Sequence, residues 1–425
     1  MRIAIVGAGV SGLVAAHLLS RRHDVTLFDA SDYAGGHTHT VRVETEGGAW
    51  DVDTGFIVHN DRNYPQFQRL LRELGVATQP SEMSFGVADA AGDFEYSGAS
   101  PNGLYAKRSH LVTPWFQRMV ADLVRFNRAA RALLEEDPAA HPQRLPADAG
   151  PSLRQWLAEL RFSEPFVERL IVPQAAAVWS ADPRQLWSFP ARFLVQFFAQ
   201  HGMLGFRDRP RWRTIAGGSR CYVDAIVARL GERRVRLATP VRLIAREAGH
   251  VELRFAARAE PERFDHVVIA VHSDQALELL ADPVEREREL LSAIPYQRND
   301  VTLHTDCGLL PRRRRAWASW NYHLLERETG RPTVTYHMNR LQSLRADREL
   351  LVTLNRDDAV RAEHVIERFR YDHPVFTAAG VAAQRRWHEL EAAAPRTSYC
   401  GAYWGWGFHE DGVASAGRAV RRLLA

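Results

Sequence analysis

The chain has 425 residues, 46% hydrophobic and 25% charged, which suits a soluble globular protein of two or three domains with a large core. Its net charge of +4 rests on arginine, with Lys107 the single lysine, and no nucleic-acid module accompanies that charge, so no nucleic-acid partner is expected. Cys221, Cys307 and Cys400 are far apart and form no CxxC, which argues against a disulfide framework and a structural zinc; no metal site is expected. There is no run of about 18 apolar residues, and Met1-Arg2 leads straight into an apolar stretch. The expectation is therefore a cytoplasmic protein without a spanning helix or secretory leader.

Ile3-Ala4-Ile5-Val6 reads as a buried parallel strand that runs into Gly7-Ala8-Gly9-Val10-Ser11-Gly12, and residues 13–19 then carry helical spacing. In a dinucleotide fold Gly7 makes the tight turn, Gly9 lets backbone N–H groups approach a pyrophosphate, and Gly12 lets the helix pack on its strand. The helix start, with Val10 and Ser11, turns its positive dipole end to the phosphates. Residues 25–28 read as the second strand. Asp29, followed by Ala30, stands 20 residues past Gly9, where a carboxylate accepts ribose hydroxyls. Gly35-Gly36-His37-Thr38 offers a second close approach of backbone to ligand, which a nicotinamide unit does not need. It tilts the ligand towards FAD.

Residues 50–58 read as a strand ending in a turn at Gly55-Phe56, and 63–74 as a helix with Pro65 near its start and Gly75 at its end. Strand-like pieces follow at 84–88 and 94–97, then helices over 115–134, 152–160 and 164–171, with a Pro- and Ala-rich loop over 137–151. The segment 186–206, ending in Phe206, is dense in aromatics; it reads as core, as the lining of an apolar cavity, or as a bilayer-facing surface. Arg207, Arg209, Arg211 and Arg213, and Arg312 to Arg315, read as solvated loops or as contacts to acidic headgroups, which would make the protein peripheral at the inner membrane face. Gly217-Gly218-Ser219 precedes a helix over 222–230, with Ser219 as its N-cap. Strands are expected at 235–237, 241–244, 251–255, 267–271, 301–303, 317–320, 334–338 and 351–354. Residues 399–412, rich in glycine and aromatics, feed a last helix over 413–424. The nucleotide-binding features sit at the start, the middle and the end, which implies an α/β chain of two interleaved domains. A Rossmann-like FAD-binding domain takes 1–75, 210–285 and 385–425, and an α+β substrate domain takes 76–209 and 286–384.

Together these features resemble the flavin-containing amine oxidase superfamily, which also holds protoporphyrinogen oxidases and carotenoid desaturases. The resemblance implies the amine-oxidase type of fold with non-covalent FAD. It implies that Gly7, Gly9 and Gly12 bind the pyrophosphate, Asp29 the adenosine ribose, and Gly35 and Gly36 the phosphates. It also implies that Gly217 and Gly218 lie near the flavin ring and Val241 pairs with adenine, while Gly407, Asp411, Gly412 and Val413 close over the pyrimidine end. Gly-Gly-His-Thr at 35–38, Asp-Thr-Gly-Phe-Ile-Val at 53–58, residues 81–85, Trp179-Ser180, 337–342 and 407–412 are similar to the flavoprotein domain of plant cyclopropane fatty acid synthases and its stand-alone bacterial relatives. That similarity implies a lipid-linked, fatty acyl substrate and a fatty acid methyltransferase as partner. Three departures stand out: His37 replaces the usual arginine, Lys107 does not match the lysine that holds a water near flavin N5, and Cys400 reads as a packed thiol rather than an attachment point.

Flavin supplies the difficult chemistry, so the candidate residues are those that place a C–H bond and handle a proton. His409 and Glu410 are candidates for the proton, or for capping the last helix. Trp404, with Tyr403, Trp406 and Phe408, is a candidate wall. Asn60, Trp179, Asn321, Tyr336 and Asn339 are further candidates from separate segments. The expected function is an FAD-dependent dehydrogenase or desaturase of an apolar substrate that reacts slowly with oxygen, unless a protonated His409 supplies the missing charge. The alternatives are a flavin amine oxidase and a non-catalytic flavoprotein partner of a methyltransferase.

Overall fold

The computed structural model describes residues 1–135, 150–179, 182–205, 209–327 and 329–424, so Ser180, Phe206, Arg207 and the loop over 137–149 lie outside the described residues. Strand β1 (Arg2–Val6), helix α1 (Val10–Leu19) and strand β2 (Asp24–Phe28) form the opening unit. β1 is central in a five-stranded parallel sheet, ordered Val235–Arg236, β2, β1, His266–Ile269, Thr397–Tyr399. Ile3 and Ile5 pack into an apolar cluster with α1 and the C-terminal helix His409–Leu424, while Ala4 and Val6 pack into another with Ile244, Val251 and Leu253. Burial on both faces is why this strand reads as a continuous apolar run rather than an alternation.

The second layer is a seven-stranded mixed sheet in the order Val365–Pro374, Tyr296–His304, Leu351–Leu354, Val334–His337, Trp320–Leu324, Phe85–Asp89, Glu95–Ser97. Of its pairings, only Trp320–Leu324 with Phe85–Asp89 is parallel. The helices Pro114–Glu135, Leu153–Glu159, Val172–Trp179 and Ala191–Gln200 share one apolar cluster with this sheet. A small antiparallel sheet, Val58–Asn60, Trp212–Ile215 and Thr78–Pro80, carries the chain between the two layers. Leu290, Leu291 and Ile294 pack with the parallel sheet, beyond the expected break at 285, whereas Val43, Val52, Ile57 and Val58 pack with the mixed sheet.

Several expectations change. The strand expected at 317–320 is Trp320–Leu324, because Arg314–Ala316 forms a tight turn and the indole N–H of Trp317 donates to the Pro311 carbonyl at 2.7 Å. The ten-residue strand Val365–Pro374 was not foreseen, since an edge strand with mostly exposed charged side chains shows no apolar alternation. Ser219 stands at the N-cap position, but its side chain caps nothing: its N–H and hydroxyl both donate to Asp53 Oδ1 at 2.8 Å. The aromatic segment is no bilayer surface, because Phe189, Phe193, Phe197 and Phe198 are buried. Two arginines expected at headgroups are also engaged, Arg213 donating to Thr78 and Arg313 pairing with the buried Glu95. No helix among the described residues is long and apolar enough to cross a membrane.

Candidate functional site

A cavity of about 1720 Å³ extends from the end of β1 to the mixed sheet. Pockets for one small molecule measure about 300–1,000 Å³. The space therefore suits a cofactor together with a second molecule.

The nucleotide end is made of backbone. A Cβ on Gly12 would lie 1.8 Å from the Gly7 carbonyl oxygen, so only glycine lets α1 sit on the turn. A Cβ on Gly9 would meet no atom within 4 Å, because its place is the open cavity. Gly35 N–H donates to the Ala8 carbonyl at 2.8 Å, and a Cβ on Gly36 would come within 3.2 Å of Gly9 Cα, so the two glycine turns form one cradle. α1 starts at Gly9 with no side chain capping its first turn. Asp29 stands at the rim, its Oδ2 accepting from Ala8 N–H at 2.6 Å and its Oδ1 from Ser31 N–H at 2.8 Å. Uncapped donors at a helix start, an open face at Gly9 and a carboxylate beyond them fit the pyrophosphate and ribose of FAD. Gly7, Val10, Ser11, Ala30, His37, Gly55, Phe56, Val241 and Gly407 also line the cavity.

Other expected residues stand behind the wall, and their roles are corrected accordingly. Gly12 serves helix packing. Gly412 does the same for the C-terminal helix, where a Cβ would lie 2.7 Å from Val10 Cγ1. Val413 packs in the same cluster. Thr38 Oγ1 bonds the Tyr222 hydroxyl at 2.6 Å and His409 Nε2 at 2.9 Å. Asp411 Oδ2 accepts from Phe408 N–H at 3.0 Å and caps the C-terminal helix, and burial raises its carboxyl to about 7. Gly217 and Gly218 do not line the cavity; Gly218 faces Thr40 and Asp53. Asp53 is fully buried, and it accepts from Thr40, Ser219 and Gln342, tying three separate segments together.

Of the three catalytic candidates, none is placed to move a proton. Asn60 is fully buried, and its Oδ1 accepts from Arg62 and Asn63 N–H, fixing a turn. Trp404 is packed against Tyr403 in the core behind the cavity. His409 reaches the cavity, but its Nε2 is shared with Thr38 and Tyr222, and its ring stacks on Phe56 at 3.5 Å. Burial pushes the His409 imidazole down to about 3, so it is neutral and supplies no positive charge. Glu410 caps another helix, Pro65–Leu74, by accepting from Gln66 and Phe67 N–H. Asn321 and Asn339 likewise bond backbone groups, of Ala318 and of Arg348 and Leu350. Lys107 bonds Asp93 at the surface. Cys400 is a packed thiol pushed up to about 12 by burial.

Trp179 and Tyr336 do line the cavity, and Trp179 belongs to an aromatic wall. Its ring is 4.7 Å from Phe197 and 6.3 Å from Trp406, which stacks at 4.3 Å on Phe193. Sequence reasoning missed a histidine group at the cavity wall: His37 lies 5.2 Å from His373 and 5.9 Å from His272, ring to ring. Burial, then the neighbouring imidazoles, holds His37 well below its ordinary value, and burial takes His373 down to about 4. These histidines come from three distant segments, and nothing local in any of them signals that the three meet.

The profile of the family described as flavin containing amine oxidoreductase matches residues 10–306. The L-amino-acid oxidase of Notechis scutatus scutatus is 42% identical over 72 residues, 17% of this chain and 13% of that protein, so the chain matches only a small part of that relative's length. Among solved structures, cyclohexylamine oxidase from Brevibacterium oxydans IH-35A aligns with TM-score 0.68 and 18% identity, over 100% of this chain and 98% of its own. A CLA-producing fatty acid isomerase from P. acnes aligns with TM-score 0.67 and 17% identity, over 100% and 99%. At such identities these two show the fold. With the family profile spanning most of the chain and a cradle shaped for the pyrophosphate, the chain belongs to the flavin-containing amine oxidoreductase family as an FAD-binding member.

Proposed function

We propose that this FAD-dependent oxidoreductase dehydrogenates an apolar, fatty acyl substrate. One observation carries the reading: among the described residues, the cavity lining drawn from 81–205 and 296–354 contains no Asp, Glu, Lys or Arg, and the charged lining residues of the substrate segments, Arg209, Arg370 and Asp372, lie outside those stretches. Met83, Phe85, Leu104, Val120, Leu123 and Leu170 provide apolar surface there instead. An ammonium or carboxylate bound at that end would lose its hydration without a partner, whereas an acyl chain loses nothing. In this reading segments 1–75, 210–285 and 385–425 hold the cofactor, 76–209 and 286–384 hold the substrate, and a fatty acid methyltransferase is the partner. The fatty acid isomerase of similar fold supports an acyl ligand on this scaffold.

FAD, when bound, supplies a two-electron acceptor for hydride at N5. The cradle of Gly9, Gly35 and Gly36 would hold its phosphates, and Asp29 its ribose. The chain's own contribution is placement: Trp179, Phe197 and Trp406 wall the substrate and exclude water, and the Thr38–Tyr222–His409 network fixes Phe56. The neutral His409 and the absence of a lysine among the described residues of the cavity lining remove two cations of the kind that speeds reaction with oxygen, which favours a dehydrogenase.

The same aromatic wall favours a second reading, because aromatic faces also bind cations. Anaerobic bleaching of the flavin absorbance decides between the two. Unsaturated and methyl-branched phospholipid acyl chains are expected to bleach it. Bleaching by cyclohexylamine or putrescine, with none by lipid, would assign an amine oxidase.

A further inference from the structure

Seven large apolar side chains are exposed among the described residues, and four of them fall within one short stretch. Leu111 is 53% exposed, Val112 83%, Trp115 37% and Val124 53%. They occupy the tight turn Arg108–Val112 and the first half of the helix Pro114–Glu135. That helix is also a wall of the cavity, which Val120, Leu123 and Val124 line. Val124 is therefore both cavity lining and outer surface, so the apolar interior comes to the surface on the same helix that carries Trp115.

The charges of this stretch are mostly of one sign, with the exposed Asp93 beside Lys107 and Glu135 at the far end of the helix as the exceptions. Lys107, Arg108, Arg118, Arg125, Arg128 and Arg131 lie in 107–134, and Asp122 is the only acid there. Asp122 is wholly buried between Arg118 and Arg125. A protruding apolar tip amid exposed cations matches an anionic lipid surface, with carbon chains beneath and phosphates above.

We propose that this face docks on an anionic bilayer. Leu111, Val112 and Trp115 insert among the headgroups, the flanking arginines meet lipid phosphate, and an acyl chain passes beside Val124 into the cavity. The last step rests on the acyl reading above, while docking itself is read out without turnover, so either can fail alone.

The test is co-sedimentation of the FAD-loaded protein with vesicles of phosphatidylcholine containing about one third phosphatidylglycerol. Binding is expected, weakening as salt rises and absent on pure phosphatidylcholine. Val112→Asp and Leu111→Ser should each weaken it about tenfold or more, because a buried apolar contact is replaced by a hydrated group. Arg128→Glu should weaken it further in low salt than in high. Ile366→Asp, at another exposed apolar position on the edge strand, should leave binding unchanged, and flavin content and melting temperature report that each variant is folded. Equal binding by wild type and Val112→Asp, or no binding by wild type, overturns the proposal. So does a concentration-dependent dimer that Val112→Asp dissolves, which would assign the face to a second copy of the chain.

Discussion

The two ends of the cavity are built from different parts of the chain. At the nucleotide end the working surface is backbone, with Gly9, Gly35 and Gly36 forming one cradle that the Gly35 N–H bond to the Ala8 carbonyl holds together. At the mixed-sheet end it is side chain, a largely aromatic and aliphatic lining whose charged members Arg370 and Asp372 belong to the edge strand. Backbone recognition tolerates almost no added atom, because each Cβ meets fixed structure or occupies the ligand's place. Side-chain recognition is graded, since an apolar wall can change volume and keep its chemistry. A cofactor common to a family suits the first kind of surface, and a substrate that differs between members suits the second.

The sharpest way to break this contrast is inside the glycine turn itself. Gly12→Val should prevent folding, as it forces a carbon into the Gly7 carbonyl. Gly9→Val should fold, since its side chain enters open space, yet purify without flavin, the affinity for FAD falling more than about 100-fold. Absorbance of the purified proteins and their thermal melts separate the two outcomes; flavin-loaded Gly9→Val would remove the pyrophosphate from this cradle.

At the other end Leu123→Asp puts a charge into the apolar lining without touching the cradle. Flavin content should hold while bleaching by acyl lipid slows about 100-fold. Faster bleaching by amines in this variant would turn the reading towards an amine substrate.

Acid should act on the two ends unequally. Burial lowers His201, His304, His337 and His373 to about 4 and His323 to about 3 on the mixed-sheet side, while on the nucleotide side it lowers His409 to about 3. Between those values and 6.5 the unfolded chain binds protons that the fold excludes, so stability is lost as pH falls through that window. Asp53 and Asp411, raised to about 7 at the nucleotide side, have the opposite slope between 3.8 and 7. Each excluded proton changes stability by about 1.4 kcal/mol per pH unit. Melts followed by hydrogen exchange should show the mixed sheet losing protection first as pH falls from 6 to 5; uniform loss would contradict the assignment. A smaller effect is expected for Glu410→Ala, which removes the cap of Pro65–Leu74 and should lower stability by about 1 kcal/mol with flavin retained.

Much of the nucleotide end was legible because its signals are local. Ile3 to Gly12 and Asp29 each follow from a strand, a turn and a helix whose geometry a short stretch dictates, and Gly75 ends its helix where glycine was read as a stop. The same reasoning failed where a residue type suits several roles. His409 had the chemistry of a proton carrier, but burial keeps it neutral and Thr38, Tyr222 and Phe56 hold its ring, and those partners are up to 371 residues away in sequence. Ser219 had the chemistry of a cap, and it serves Asp53 instead.

The sequence by itself determined the parallel βαβ unit, the phosphate cradle and the class of cofactor, since glycine spacing and strand burial act over a few residues. Only the tertiary structure decided that the aromatic segment becomes a cavity wall rather than a surface, that Leu111, Val112 and Trp115 face outward, and that His37, His272 and His373 meet. An apolar residue is equally content in core, lining or bilayer, so its place depends on what long-range contacts bring beside it.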